Sequence, residues 1–228
     1  MKLFNKCETT KLFYDEYPYK LVIVNAMSHI FRDKNLSKAK DSLSSLQQMF
    51  DQGEPLRWGP PVRPYFDRRD RSIEVDTFVE AKNLYIEFSK QTDYKLRVSN
   101  PYMQIYSHDY DWLVMLSKKL KGVIELWEPR SENISQLSAN TILVNTPTDY
   151  KFKVTLGYDC DPNLAGWIKK NPDKAKAGPV CLQTITRGGY TRGLYFYARD
   201  EKILQLLNLF VSSVVRIDKL VYNQKKDK

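Results

Sequence analysis

The 228-residue chain has few cysteines, few glycines and no long apolar run, and each shortage excludes a class of protein. Its three cysteines, Cys7, Cys160 and Cys181, lie far apart, so neither a disulfide framework nor a zinc site with paired Cys/His spacing is expected. Nine glycines exclude collagen-like chains and glycine-rich linkers. Apolar runs such as residues 21–24 are too short to cross a bilayer, and the first residues lack the apolar stretch of a signal peptide. We therefore expect an intracellular, cytoplasmic protein with no membrane partner.

Positive charge is present in excess. Lys and Arg number 36 against 27 Asp and Glu, which gives a formal net charge of +9. The excess is concentrated late in the chain, because residues 147–228 hold 15 Lys and Arg against 8 Asp and Glu. With 42% hydrophobic and 28% charged residues, the chain has the composition of a folded globular protein. A basic globular protein of this kind favours polyanionic partners such as nucleic acid.

Short β-branched segments alternate with amphipathic ones along the chain, which is typical of an α+β fold. Residues 19–26 are predicted to form a buried strand. Asp109 and Asp200 each precede an apolar-periodic segment and are predicted to cap a helix. Residues 181–186 and 194–197 are predicted to form a hairpin.

An internal repeat gives the most specific indication of architecture. Residues 105–116 align without a gap with residues 196–207, and the same offset brings residues 123–126 onto 214–217. Each half of the chain therefore ends in a strand, an Asp-capped helix and a strand. Such units pack their helices on one face of a sheet through right-handed crossovers, so we expect a duplicated unit.

The expected arrangement resembles tandem ferredoxin-like domains, with two βαββαβ-type halves related by internal duplication. It also resembles RNA-recognition-motif domains in architecture, although the paired-aromatic signature of that motif is absent. The expected first half covers residues 1–129 and contains a long Pro- and Arg-rich loop at 53–72. A polar connector follows at 130–140, and the second, more basic half covers 141–228.

The Pro- and Arg-rich loop is the first candidate binding site. Arginine forks bind phosphate bidentately, and flat aromatic side chains stack on unpaired bases. The alternative is that Asp67 and Asp70 neutralise the arginines while the aromatic side chains cover the core. The candidate nucleic-acid-binding residues in this loop are Arg57, Trp58, Arg63, Tyr65, Arg68 and Arg69.

A second candidate site lies in the segment Arg187-Gly-Gly-Tyr-Thr-Arg-Gly193. Its three glycines let backbone N–H groups approach a phosphate, and two arginines flank an aromatic ring. The alternative is a hairpin turn that needs positive φ angles. Its candidate nucleic-acid-binding residues are Arg187, Tyr190 and Arg192.

His29 is a candidate catalytic residue, because an imidazole can act as general base or acid near neutral pH. The combination of an early histidine and a doubled ferredoxin-like fold resembles the repeat-associated endoribonucleases of CRISPR systems. That resemblance implies metal-independent RNA cleavage. The sequence departs from the family after its last predicted helix, where residues 211–221 contain no glycine and the family has a glycine-rich loop.

The sequence therefore favours a non-enzymatic nucleic-acid-binding protein that recognises single-stranded or structured RNA rather than duplex DNA. One alternative is a metal-independent endoribonuclease that uses His29. Another is a protein-assembly or adaptor protein, whose tyrosines and tryptophans would contact a protein partner. Neither a metal nor a cofactor is expected, since no diagnostic motif for either occurs.

Overall fold

A computed structural model of the protein describes residues 4–58, 72–207, 210 and 214–222. Within these residues the protein is mixed α+β, with two five-stranded sheets and helices between groups of strands. The chain divides into two compact units. Unit 1 comprises Met1–Thr9 and Tyr17–Pro129, and unit 2 comprises Thr10–Glu16 and Arg130–Lys228.

Unit 1 contains a sheet with the strand order β1-β5-β2-β4-β3. Strand β1 runs parallel to β5, and the other neighbouring pairs are antiparallel. Its elements, in chain order, are β1 (Asn5–Glu8), β2 (Tyr19–Val24), a 3-10 helix (Ser28–Lys34), α1 (Leu36–Asp51), α2 (Val75–Lys90), β3 (Lys95–Ser99), β4 (Tyr102–Ser107), α3 (Tyr110–Lys119) and β5 (Val123–Glu128).

Register and side-chain alternation place the core of unit 1 on one face of its sheet. Leu21 is paired with Ile105, and Ile23 is paired with Met103, so all four side chains point to the same side. All four are almost completely buried. The predicted cap of the last helix is confirmed, because Asp109 accepts a hydrogen bond from the Trp112 backbone N–H at 2.9 Å.

Unit 2 contains a sheet with the strand order β6-β10-β7-β9-β8. Strand β6 runs parallel to β10, and the other neighbouring pairs are antiparallel. Its elements, in chain order, are a second 3-10 helix (Ser131–Gln136), β6 (Thr141–Val144), β7 (Phe152–Leu156), α4 (Asn163–Lys170), β8 (Ala175–Ala177), α5 (Pro179–Thr186), β9 (Tyr195–Ala198), α6 (Glu201–Leu207) and β10 (Val214–Tyr222).

The helices of unit 2 cover one face of its sheet. Val154 and Leu156 on β7, and Phe196 and Ala198 on β9, have no exposed surface. They share a core with apolar side chains of the three helices, including Leu164, Ile168, Ile185 and Ile203. Since side chains alternate along a strand, the residues between them point to the opposite face.

The predicted hairpin of residues 181–186 and 194–197 is wrong. Residues 181–186 belong to helix α5, which has Pro179 in its first turn, where a missing backbone N–H costs nothing. Strand β9 pairs instead with β7 and β8. The segment from Arg187 to Gly193 is therefore a helix-to-strand connection and not a hairpin turn.

The short segment Thr10–Glu16 is fastened to unit 2 by polar contacts. The Thr10 carbonyl accepts a hydrogen bond from the Leu143 N–H at 2.8 Å. The Asp15 carboxylate accepts from the Asn140 N–H at 3.1 Å and from Arg216 Nη1 at 2.8 Å. Arg216 also pairs with Asp218, a carboxylate that is only 4% exposed. One guanidinium thus joins two carboxylates on this side of β10.

Candidate nucleic-acid interface

The connection between α5 and β9 is held against the end of β7. The buried Thr191 hydroxyl donates to the Gly157 carbonyl at 2.9 Å, and the Gly193 N–H donates to the Leu156 carbonyl at 3.1 Å. Gly188 and Gly193 have φ angles of +61° and +83°. Such left-handed backbone favours glycine, and this accounts for two of the three glycines in the segment.

Two of the predicted residues come together in this connection with a tyrosine that the sequence did not single out. The Arg192 guanidinium lies 4.6 Å from the centre of the Tyr158 ring and donates a hydrogen bond to its hydroxyl. The Tyr158 and Tyr190 rings are 5.6 Å apart at an angle of 67°. We call Tyr158, Tyr190 and Arg192 the loop cluster.

The loop cluster is open to solvent and positively charged. Tyr158 is 51% exposed and Tyr190 is 65% exposed. Arg192 is exposed, as is Arg187 at the end of α5. Across the described part of the chain, neither arginine forms a salt bridge with a carboxylate. Both charges therefore remain available to an external anion.

The candidates in the Pro- and Arg-rich loop are only partly described. Arg57 is exposed and forms a backbone bridge with Ser72 in unit 1. Trp58 is half-buried against the core of unit 1, and its ring centre lies 4.6 Å from that of His29. Trp58 thus covers the core, as the alternative interpretation proposed for the aromatic side chains. The other four candidates, Arg63, Tyr65, Arg68 and Arg69, lie outside the described residues.

His29 lies in the 3-10 helix after β2 and is half-buried. Its Nδ1 atom is buried, with no hydrogen-bond partner among the residues that the structure describes. Burial lowers the pKa of the His29 imidazole below its usual value; a hydrogen bond with the Ala26 backbone offsets part of this effect, and the charges of Arg32 and Lys38 add to it. The ring is therefore neutral at physiological pH, which is the state that a general base requires.

The helix-free face of the unit 2 sheet carries aromatic and basic side chains that the sequence did not reveal as a site. Tyr195 and Tyr197 alternate with the buried Phe196 and Ala198 on β9, so both rings point away from the core. Lys153, on the neighbouring β7, places its Nζ 4.1 Å from the centre of the Tyr195 ring. The alternating Tyr-Phe-Tyr-Ala pattern of β9 is the sequence feature that indicates two tyrosines on the face opposite the core.

The described residues give little support for a metal site, a cysteine nucleophile or a membrane span. Among the residues described, no group of three or more His, Cys, Asp or Glu side chains is arranged to hold a metal ion. Burial raises the pKa of the Cys160 thiol to about 11, so this thiol is protonated and a poor nucleophile near neutral pH. In the described part, no helix is both long enough and apolar enough to span a bilayer.

Comparison with known proteins adds no family to this picture. No protein-family model, no curated protein and no solved structure matches the chain. The functional conclusion therefore depends on the geometry of the chain's own residues.

Proposed function

We propose that the protein binds single-stranded or structured RNA through unit 2. The observation that carries this proposal is the loop cluster, in which the exposed Tyr158 ring contacts both the exposed Tyr190 ring and Arg192, an arginine that has no carboxylate partner among the described residues. A guanidinium forms bidentate contacts with phosphate, while an exposed ring stacks on a base. The two kinds of contact occur together in proteins that hold an unpaired nucleic-acid strand.

The ring geometry favours unpaired bases over a duplex. The Tyr158 and Tyr190 planes meet at 67°, so bases that lie on both rings cannot remain parallel to each other. Bases in a duplex are stacked in parallel and paired, and they are not free to adopt this arrangement. The excess of Lys and Arg in residues 147–228 supports the same class of ligand, because it attracts phosphate over a longer range.

The test is a fluorescence anisotropy titration with labelled single-stranded RNA, single-stranded DNA and duplex DNA of equal length, each at two salt concentrations. We expect the tightest binding to RNA, and weaker binding at higher salt. Tyr158→Ala should weaken RNA binding about tenfold through the loss of one stacking ring. The matched control is Tyr102→Ala, since Tyr102 is 50% exposed on β4 of unit 1.

Three outcomes contradict the proposal. One is the absence of binding to any probe at low salt. Another is equal loss of affinity in the Tyr158 and Tyr102 variants. The third is a preference for duplex DNA.

For the architecture, we infer that the two units are copies of one ferredoxin-like unit with an added first strand. Its support is that both sheets follow the same strand order and the same pattern of directions. An offset of 91 residues also aligns the starts of α3 with α6 and of β5 with β10. An experimental structure in which the two sheets differ in strand order would overturn this inference.

A ribonuclease activity of His29 is the second candidate function. The observation in its favour is the neutral imidazole with a buried Nδ1 that has no partner within the described ranges. A neutral imidazole can accept a proton from a ribose hydroxyl, and because Nδ1 is buried, the acceptor would have to be the other ring nitrogen, Nε2.

A further inference from the structure

We propose that the helix-free face of the unit 2 sheet is a stacking platform for two successive unpaired bases of a nucleic-acid strand. We call this surface the tyrosine face, and its members are Lys153, Lys176, Tyr195 and Tyr197. The inference rests on the proposed function, and it adds a binding surface separate from the loop cluster.

The position of these side chains follows from strand register. Tyr197 pairs with Lys153 on one side and with Lys176 on the other, so the three point to the same face. Tyr195 lies two residues before Tyr197 and shares its orientation. The opposite face holds the core of unit 2, to which the helices contribute. Among the described residues, the α-helices of unit 2 therefore pack on the other face, and the Thr10–Glu16 segment reaches the tyrosine side of the sheet only at Arg216 on β10.

The rings are accessible and suitably oriented for bases that are not stacked on each other. Tyr195 is 42% exposed, and Tyr197 is half-buried. Their ring centres are 5.6 Å apart, and their planes meet at 71°. Burial raises the pKa of Tyr197, and the neighbouring Tyr195 adds to this effect. The Tyr197 phenol is therefore neutral at physiological pH and does not repel phosphate.

The charges on the face favour a polyanion. Lys153 and Lys176 form no salt bridge with a carboxylate of the described residues. Arg216, on the neighbouring β10, is paired with both Asp15 and Asp218, and Asp218 lies across from Lys153 in the register of the two strands. Two carboxylates therefore face one guanidinium beside Lys153, and Lys176 on β8 is the cation of the tyrosine face that lies furthest from them in the strand order.

The Lys153 ammonium is placed to exchange its contact with the Tyr195 ring for a phosphate when a nucleic-acid strand binds. Its ammonium lies over the Tyr195 ring in the free protein. An exposed cation–π contact is weak, and stacking of a base on the same ring is the stronger interaction. A base that takes the ring face would release the ammonium toward the phosphate of the same nucleotide.

The tyrosine face and the loop cluster are close in sequence. Thr155, the β7 partner of Tyr195, precedes Tyr158 by three residues, and Tyr158 lies in the bend that follows the end of β7 at Leu156. The chemistry that the tyrosine face recognises is an unpaired base with its phosphate, whether the sugar is ribose or deoxyribose.

The test uses the full-length protein with fluorescein-labelled oligouridine RNA and oligothymidine DNA. We expect Tyr195→Leu and Tyr197→Leu each to weaken binding of both probes about tenfold. Tyr195→Phe keeps the ring and should bind like the wild type. Tyr222→Leu is the matched control, because Tyr222 is 41% exposed on β10 of the same unit. Loss of binding for only one of the two probes would contradict recognition that does not depend on the sugar.

Several results would overturn the platform. If the wild type binds the probes and both leucine variants bind equally well, the platform is wrong and the proposed function stands. If the wild type binds neither probe, both fail. Loss of affinity in Tyr195→Phe equal to that in Tyr195→Leu would exclude stacking, and equal loss in Tyr222→Leu would exclude a specific site.

A second measurement does not depend on the folding of a variant. Photocrosslinking of wild-type protein to 5-iodouridine RNA, followed by peptide mass spectrometry, should place the crosslink on Tyr195 or Tyr197. Crosslinks confined to unit 1 would overturn the platform. Probe binding that is insensitive to salt would also contradict the proposal, since it would show that Lys153 and Lys176 contact no phosphate.

Discussion

Removing the two arginines of the α5–β9 connection should change how RNA binding depends on salt. We choose the double variant R187Q/R192Q, because glutamine keeps a polar side chain and removes the charge. Neither guanidinium is neutralised by a carboxylate in the described ranges, so each is able to contact one phosphate. For a single strand, the slope of log K against log salt changes by about 0.7 for each phosphate contact.

Two lost contacts therefore flatten the slope by about 1.4. Between 50 and 200 mM salt, a fourfold change, the wild type should lose about sevenfold more affinity than the double variant. The assay is anisotropy with labelled single-stranded RNA at several salt concentrations, with the variants checked for folding by circular dichroism.

The matched control is K169Q/K170Q, which removes the same charge from the last turn of α4. A change of general charge would affect both double variants alike, whereas phosphate contacts at the loop cluster would affect only the first. Equal slopes for the two double variants would refute the assignment of Arg187 and Arg192 to phosphates. The same measurement on R68A/R69A tests the other predicted loop, for which we expect lower affinity and a flatter slope.

Three further predictions concern stability and catalysis. Arg216→Ala should lower the free energy of unfolding by about 3 kcal/mol in urea titrations, because it leaves the buried Asp218 carboxylate without its cation; an unchanged value would show that the pair contributes nothing. Burial raises the pKa of Tyr94 to about 12, so stability should fall as the pH rises from about 10 to about 12, where the unfolded phenol ionises first. Tyr94→Phe should reduce that fall, and an identical pH profile would contradict it. If His29 is catalytic, wild-type protein cleaves RNA in EDTA and H29A does not, and RNA that stays intact with excess wild type eliminates the activity.

Local chemistry was sufficient to predict some elements. Asp109 and Asp200 each cap a helix, with hydrogen bonds of 2.9 and 3.1 Å to the backbone N–H three residues later. A cap depends on a side chain and the backbone of its own turn, so it needs no knowledge of the rest of the chain. The apolar residues 19–24 were likewise recognisable as strand β2.

Elements that depend on distant partners could not be predicted in this way. Strand β1 is mostly exposed and has no apolar alternation, and it forms because β5 offers a free edge more than a hundred residues later. Residues 181–186 of helix α5 are three apolar residues, two threonines and a glutamine, and so short a run fits the period of a strand as well as that of a helix. The burial of Cys181 and Ile185, four residues apart, belongs to the helix.

The candidate site likewise combines features that the local sequence shows with features that depend on distant partners. Glycine and arginine in the 187–193 segment are visible in the sequence, and the structure places both Arg192 and Tyr190 against the Tyr158 ring. Tyr158 joins the cluster because the Thr191 hydroxyl donates a hydrogen bond to the Gly157 carbonyl at the end of β7. These two residues are 34 positions apart, so the sequence alone does not show the contact. The tyrosine face depends on which side of the sheet the helices cover, and this is decided by packing over the whole unit.

The Thr10–Glu16 segment sets a constraint on the order in which the protein can be completed. Asp15 leaves the ribosome about 200 residues before Arg216, the side chain that it binds. The ion pair between Asp15 and Arg216 can therefore form only after most of the chain has been synthesised. A fragment that begins at residue 130 would have the whole of the second sheet and would still lack one of the two acids that hold Arg216.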